Sequence, residues 1–196
     1  MATTNFCSNS ETSENFHECT HEVVKALVKC ANFAAIKHKD QRRKDMAATP
    51  YINHPIGVAF ILTNEGDVTD PSVIQAALLH DTVEDTECTF EEIELNFGSK
   101  VMKIVKECTD DKTLPSDVRK QLQIETAPKS SKEAKLVKLA DKLHNLRDLE
   151  MQTPLGWTDQ RVKQYYIFAR NVCNGLKGVN TKLDVLLDEL LKKYGA

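Results

Sequence analysis

An all-α fold follows from three features of this chain. Apolar residues return at helical spacing over long stretches, no segment alternates in the manner of a strand, and only 7 Gly and 6 Pro punctuate 196 residues. Long elements with short connections, packed as one compact domain, are the consequence; 41% hydrophobic residues supply a full core. With 26 basic and 29 acidic residues the net charge is −3, which gives no overall attraction to nucleic acid or to an anionic membrane surface. Any phosphate recognition must therefore be local. No apolar run approaches the length that spans a bilayer. Cys7, Cys19, Cys30, Cys88, Cys108 and Cys173 form no CxxC pair, and nothing before them resembles a secretory signal. Free thiols in a reducing compartment, the cytoplasm, are expected.

Residues 1–16, rich in Ser, Thr, Asn and Glu, read as a disordered extension, and residues 17–196 as a single domain. His17-Glu18-Cys19-Thr20-His21 matches H-E-x-x-H, the zinc-protease helix. That chemistry needs a buried setting and a third ligand; the polar residues in front make a chance match the better reading. Val23, Val24, Leu27, Val28, Ala31, Ala34 and Ala35 then mark a core-facing helix over residues 22–39. It runs into the basic cluster Lys39–Asp45, either a solvated face or, through its arginines, a clamp for phosphate or a platform for a base. Pro55 biases His54 toward an extended conformation and suits a first helical position, so His54 should stand at the mouth of a helix over 56–64. Such a histidine caps, packs, or points into a neighbouring site.

Asp70 and Pro71 open the next helix as N-cap and N1. Its apolar run, Ala76-Ala77-Leu78-Leu79, ends in His80-Asp81-Thr82-Val83-Glu84-Asp85. At about 100° per residue, Asp81 falls at about 100°, Glu84 at about 40° and Asp85 at about 140° from His80, so all four crowd one side. Three carboxylates at the end of an apolar helix repel one another unless they are solvated or a cation neutralises them. The second case is a divalent metal held by His80 and Asp81, with Glu84 and Asp85 handling protons. Thr89 and Glu92 form a capping box for a short helix stopped by Gly98, and Val101, Ile104, Val105 and Cys108 mark another. After the polar connection 109–115, a more polar helix runs over 116–126. Ser130 and Glu133 cap a long helix over 132–150 with a stripe of Leu136, Leu139, Leu143 and Leu146. Asp141 lies opposite that stripe, flanked by Lys138 and Lys142, where a carboxylate is ordinarily a solvent-exposed ion-pair partner; with Asn145 one turn away on the same face, the pair could instead line a cleft, and the pattern does not choose. Helices over 158–176 and 180–194 complete the chain.

His54, His80-Asp81 with Glu84-Asp85, and Lys138-Leu139-Ala140-Asp141-Lys142-Leu143-His144-Asn145 occur together in an order that resembles the HD-domain phosphohydrolases. The likeness is to the RelA/SpoT hydrolase branch and, within it, to the small stand-alone metazoan SpoT homologues, over roughly residues 22–195. It implies an HD-domain helical bundle with one Mn2+ per chain held by His54, His80, Asp81 and Asp141. It also implies water activation by Glu84 and Asp85, and nucleotide contacts from Arg43, Lys44 and Asn145. Asp148 departs from the pattern, standing where bacterial relatives tend to have threonine. The implied reaction is hydrolysis of ppGpp to GDP and pyrophosphate at the ribose 3′ position. Removal of the ribose 2′-phosphate of NADPH is the alternative, and a catalytically silent nucleotide-sensing module a further one.

Overall fold

A computed structural model describes the backbone of residues 10–195 and the side chains of residues 20–195. Residues 1–9 of the expected extension, and the His17 side chain of the H-E-x-x-H match, lie outside the described residues. Helix α1 spans Ser10–Lys37, so it begins before the point at which apolar periodicity sets in. Then follow α2 (Asn53–Phe60), α3 (Pro71–Leu79), α4 (Thr82–Asp85), α5 (Phe90–Cys108), α6 (Ser116–Thr126), α7 (Lys132–Met151), α8 (Asp159–Leu176) and α9 (Thr181–Lys193). Among the described residues, the strand-like pairing is an isolated antiparallel bridge between Arg42 and Pro50. No helix of the described residues is long and apolar enough to cross a membrane.

Two helices organise the bundle. Helix α3 packs against α1, α2, α5 and α7, and α7 packs in addition against α2, α5, α8 and α9. Every residue from Val73 to Leu79 is buried, which is what a helix without a polar face requires. The stripe Leu136, Leu139, Leu143 and Leu146 is buried as its spacing predicts, each side chain contributing about 1.5–3 kcal/mol by leaving water.

Several helix starts sit where the sequence puts them. The side chains of Asp70, Thr89, Thr158 and Asn180 accept backbone N–H groups of the first turn of α3, α5, α8 and α9. Other boundaries differ. Ser131, not Ser130, caps α7, accepting from the Ala134 N–H. Helix α2 starts at Asn53 rather than after Pro55, and it continues into a π turn over Ile61–Glu65. The Glu92 carboxylate, three residues after the Thr89 cap, also accepts from Lys37 Nζ at 2.7 Å. Gly98, at φ 85° and ψ 165°, kinks α5 between the two segments that the sequence separates. The helix expected to run unbroken from Asp70 to Asp85 is interrupted by a turn at His80 and Asp81: Asp81 stays in the right-handed region at φ −98°, ψ −6°, and the Thr82 hydroxyl donates to the Leu79 carbonyl at 2.6 Å.

Candidate active site

His80 and Asp81 occupy the turn between α3 and α4, where Asp81 Oδ2 lies 3.0 Å from His80 Nε2. His54, from the first turn of α2, brings its Nε2 to 3.5 Å from Asp81 Oδ2 and 3.2 Å from Asp141 Oδ1. His80 Nε2 stands 3.7 Å from the same Asp141 oxygen. Both imidazoles are buried and both carboxylates nearly so. Four side chains from three parts of the chain thus converge on one point, and Asp141 faces the cleft rather than solvent.

The donor atoms suit a divalent metal ion. His80 Nδ1–H donates to the Ala77 carbonyl at 2.8 Å, which leaves Nε2 as the lone-pair nitrogen. The approach of Asp81 lacks hydrogen-bond geometry, so buried His80 Nε2 has no hydrogen-bond partner among the described residues. An unpartnered buried nitrogen facing two carboxylates is suited to a metal ion. His54 Nδ1 lies 3.1 Å from His144 Nδ1; with the His54 proton on Nδ1, its Nε2 lone pair also faces the carboxylates. Burial and the neighbouring His54 hold His144 down to about 4, so it stays neutral as the acceptor. His54, His80 and Asp81 each offer an atom within 4.8 Å of the others.

The outer contacts tie these groups down. Tyr51 OH donates to Asp81 Oδ2 at 2.7 Å, Asn145 Nδ2 to Asp141 Oδ1 at 2.6 Å, and Lys142 Nζ to Asp141 Oδ2 at 3.0 Å. Burial works against the charge on Asp141, but the Lys142 ammonium and both imidazoles outweigh it and hold the carboxyl well below its usual range. Burial likewise works to lower His80, and Asp81 and Asp141 outweigh it, raising the imidazole well above its ordinary value. Glu84 and Asp85 flank the cluster on α4. Glu84 Oε2 accepts the Asp110 N–H at 3.0 Å, and burial pushes its carboxyl up to about 7. Asp85 accepts from Gln41 Nε2 at 2.7 Å and pairs with Lys112.

Two cavities meet at the cluster. One, of about 700 Å³, is lined by Arg43, Lys44, Asp85, Asp148, Trp157 and Tyr165; the other, of about 520 Å³, by Glu84, Arg119, Lys129, Lys138 and Lys142. Tyr51, His54 and Asn145 line both. Backbone bonds from Arg43 N to Thr49 O (2.8 Å) and from Tyr51 N to Gln41 O (3.1 Å) fix the loop that carries Arg43. Arg43 Nη2 reaches Asn145 Oδ1 at 2.9 Å and Asp148 Oδ2 at 2.6 Å, so the departure at Asp148 is an ion pair to the arginine of the basic cluster. Lys44 is exposed at the cavity rim. His21 is exposed at the surface.

Sequence reasoning missed His38, Tyr51 and His144. Tyr51 stands one helical turn before His54 and His144 one turn after Asp141, spacings that a search around each ligand would find. His38 is 2% exposed, stacks against Tyr51 and holds Gln41 through Nδ1 at 2.6 Å; no local pattern marks it.

An HD-domain family model matches residues 30–170. A Xenopus tropicalis protein described as guanosine-3′,5′-bis(diphosphate) 3′-pyrophosphohydrolase MESH1 is 61% identical over 86% of this chain and 94% of its own length. The human protein of the same description is 59% identical over the same shares. A solved structure described as a metazoan ortholog of SpoT that hydrolyses ppGpp superposes with a TM-score of 0.85 at 46% identity, covering 98% of this chain and 99% of the other. The chain that brings His54, His80, Asp81 and Asp141 to one point belongs to the HD-domain family, on the branch of the small metazoan SpoT relatives.

Proposed function

We propose that this chain hydrolyses ppGpp to GDP and pyrophosphate at the ribose 3′ position. The supporting observation is the convergence of His54, His80, Asp81 and Asp141 between two cavities, in a chain 61% identical to a relative described by that hydrolysis. We assign those four residues as ligands of one Mn2+: two imidazole nitrogens and two carboxylate oxygens suit a borderline to hard ion. When bound, the ion supplies Lewis acidity toward a phosphoryl oxygen and lowers the pKa of water beside it.

The chain's own residues do the rest. Glu84, its carboxyl near 7, is poised to take the proton from the attacking water at neutral pH. Asp85, tethered by Gln41 and Lys112, faces the larger cavity and serves as a fixed acceptor beside the ribose. Trp157 and Tyr165, edge to face at 5.6 Å, give that cavity an apolar wall for a base. Arg43, its guanidinium 5.6 Å over the Tyr51 ring, and Asn145 hold the nucleoside, and Lys44 pairs with the 5′ phosphates. The free thiols of Cys30, Cys88, Cys108 and Cys173 support a reducing compartment such as the cytoplasm.

A side-by-side assay of the Mn-loaded protein with ppGpp and with NADPH tests the assignment. Equimolar GDP and pyrophosphate are expected. Phosphate released from NADPH while ppGpp stays intact would replace the substrate, and nucleotide binding without turnover of either would make the protein a sensor.

A further inference from the structure

Asp85 has two tethers of different character, and the buried one leads away from the cavities. Its Oδ1 pairs with Lys112, whose side chain is half exposed on the loop after α5. Its Oδ2 accepts from Gln41 Nε2 at 2.7 Å, and Gln41 Oε1 in turn meets His38 Nδ1 at 2.6 Å. His38 directly follows α1, is buried, and lines neither cavity.

The direction of each hydrogen bond in this chain of contacts follows from the groups themselves. An ionised carboxylate only accepts, so Asp85 requires the amide nitrogen of Gln41 on its side. The amide oxygen then faces His38, and it too only accepts. His38 therefore carries its proton on Nδ1. Burial pushes this imidazole below its usual value, which keeps it a neutral ring with a single N–H. Its Nε2 is buried with no hydrogen-bond partner among the described residues, so a proton placed there would go unpaired.

The backbone holds Gln41 as well. Its N–H donates to the His38 carbonyl at 3.0 Å, and its carbonyl accepts the Tyr51 N–H at 3.1 Å. The Tyr51 ring packs on the His38 imidazole with centroids 5.0 Å apart. A ring with one fixed donor, beside a residue pinned at both backbone groups, leaves the amide one orientation. Lys112 alone would let the carboxylate follow a flexible side chain.

We propose that His38 and Gln41 are positioning residues for Asp85: the His38 Nδ1–H fixes the Gln41 amide, and the amide aims the carboxylate into the larger cavity beside the ribose. The inference rests on the hydrolase reading above and adds two residues that act on it from behind Asp85.

Three substitutions separate the donor from the ring. His38→Asn keeps an N–H near the place of Nδ1 and loses the ring, His38→Phe keeps a ring against Tyr51 and loses the donor, and Gln41→Met keeps length and loses the amide. In the Mn-loaded protein, His38→Phe and Gln41→Met should each lower kcat for ppGpp by about tenfold or more, the scale of one hydrogen bond to a charged group. KM should stay within about threefold, and metal content near one per chain. His38→Asn should keep kcat within about threefold of the parent. In an Asp85→Ala background, Gln41→Met should change kcat by less than about twofold, because its effect passes through the carboxylate. Parental kcat in either His38→Phe or Gln41→Met overturns the proposal. So does a His38→Asn variant as slow as His38→Phe, or an undiminished effect of Gln41→Met in the Asp85→Ala background. Nitrogen NMR of the imidazoles in the protein loaded with diamagnetic Zn2+ locates the proton without turnover. It should sit on His38 Nδ1, and a proton on Nε2 overturns the inference. If the proton sits on Nδ1, and is no longer confined there in Asp85→Ala, while ppGpp stays intact, the positioning contacts stand and the assigned reaction falls.

Discussion

At the scale of single residues, the site is a set of charges that neutralise one another in pairs, with Glu84 left partly outside. Burial holds its carboxyl near 7, so its base form is lost as pH falls through that value. A bound divalent cation pulls the value downward, and the acid limb of kcat/KM is expected at or below about pH 7. Glu84→Gln should reduce kcat by about a hundredfold or more and abolish that limb while metal content stays near one per chain; a variant that hydrolyses at the parental rate would show that the proton goes elsewhere. Gly57 matters for a different reason. A Cβ there would stand 2.2 Å from His144 Nε2, the ring that orients His54. Gly57→Ala should therefore displace His144 and weaken Mn2+ affinity by about tenfold, as loss of an outer-sphere partner does. A metal titration followed by calorimetry checks it, and an unchanged affinity would separate His144 from the orientation of His54. Neither residue was legible in the sequence as a pair, because the contact joins α2 to α7.

At the scale of elements, the informative features are interruptions. A turn at His80 and Asp81 separates α3 from α4, with the Thr82 hydroxyl on the Leu79 carbonyl, and Asp81 Oδ2 there lies 3.0 Å from His80 Nε2. The wheel placed His80, Asp81, Glu84 and Asp85 on one side of a single helix; it reads sequence distance and cannot see where a helix stops. The kink at Gly98 was legible, because glycine is the residue that tolerates its backbone. At φ 85° and ψ 165°, with nothing within 4 Å of the added Cβ, Gly98→Ala should cost about 1–3 kcal/mol through backbone strain alone. Chemical denaturation measures this as a lower midpoint at unchanged slope, and parental stability would mean that α5 relaxes there at no cost.

At the scale of the whole molecule, metal and fold are coupled through the convergence of α2, α3 and α7. Without the ion, His80 has a raised pKa, so its protonation stabilises the folded state at low pH and that stability is lost as pH rises through the raised value. The carboxyls of Asp81 and Asp141 are depressed, so their contribution is present above the usual carboxylate range and is lost only in strong acid. Metal must displace the His80 proton. Mn2+ affinity should accordingly be higher at about pH 8 than at about pH 6, with proton release on binding, and the Tm gap between loaded and stripped protein should widen with pH. Calorimetry in buffers of different ionisation enthalpy and thermal unfolding at several pH values provide the check; a gap independent of pH would mean that His80 is neutral before the metal arrives. By itself the sequence determined the all-α class, the core faces of α3 and α7, several caps and the identity of the candidate ligands, since these rest on periodicity, on local backbone preference and on the chemistry of each residue type. Only the tertiary structure decided that Asp141 turns to a cleft, that His38, Tyr51 and His144 support the centre, and that Asp148 binds Arg43. Helical spacing fixes which residues share a face, but which face meets another helix depends on contacts between segments far apart in the chain.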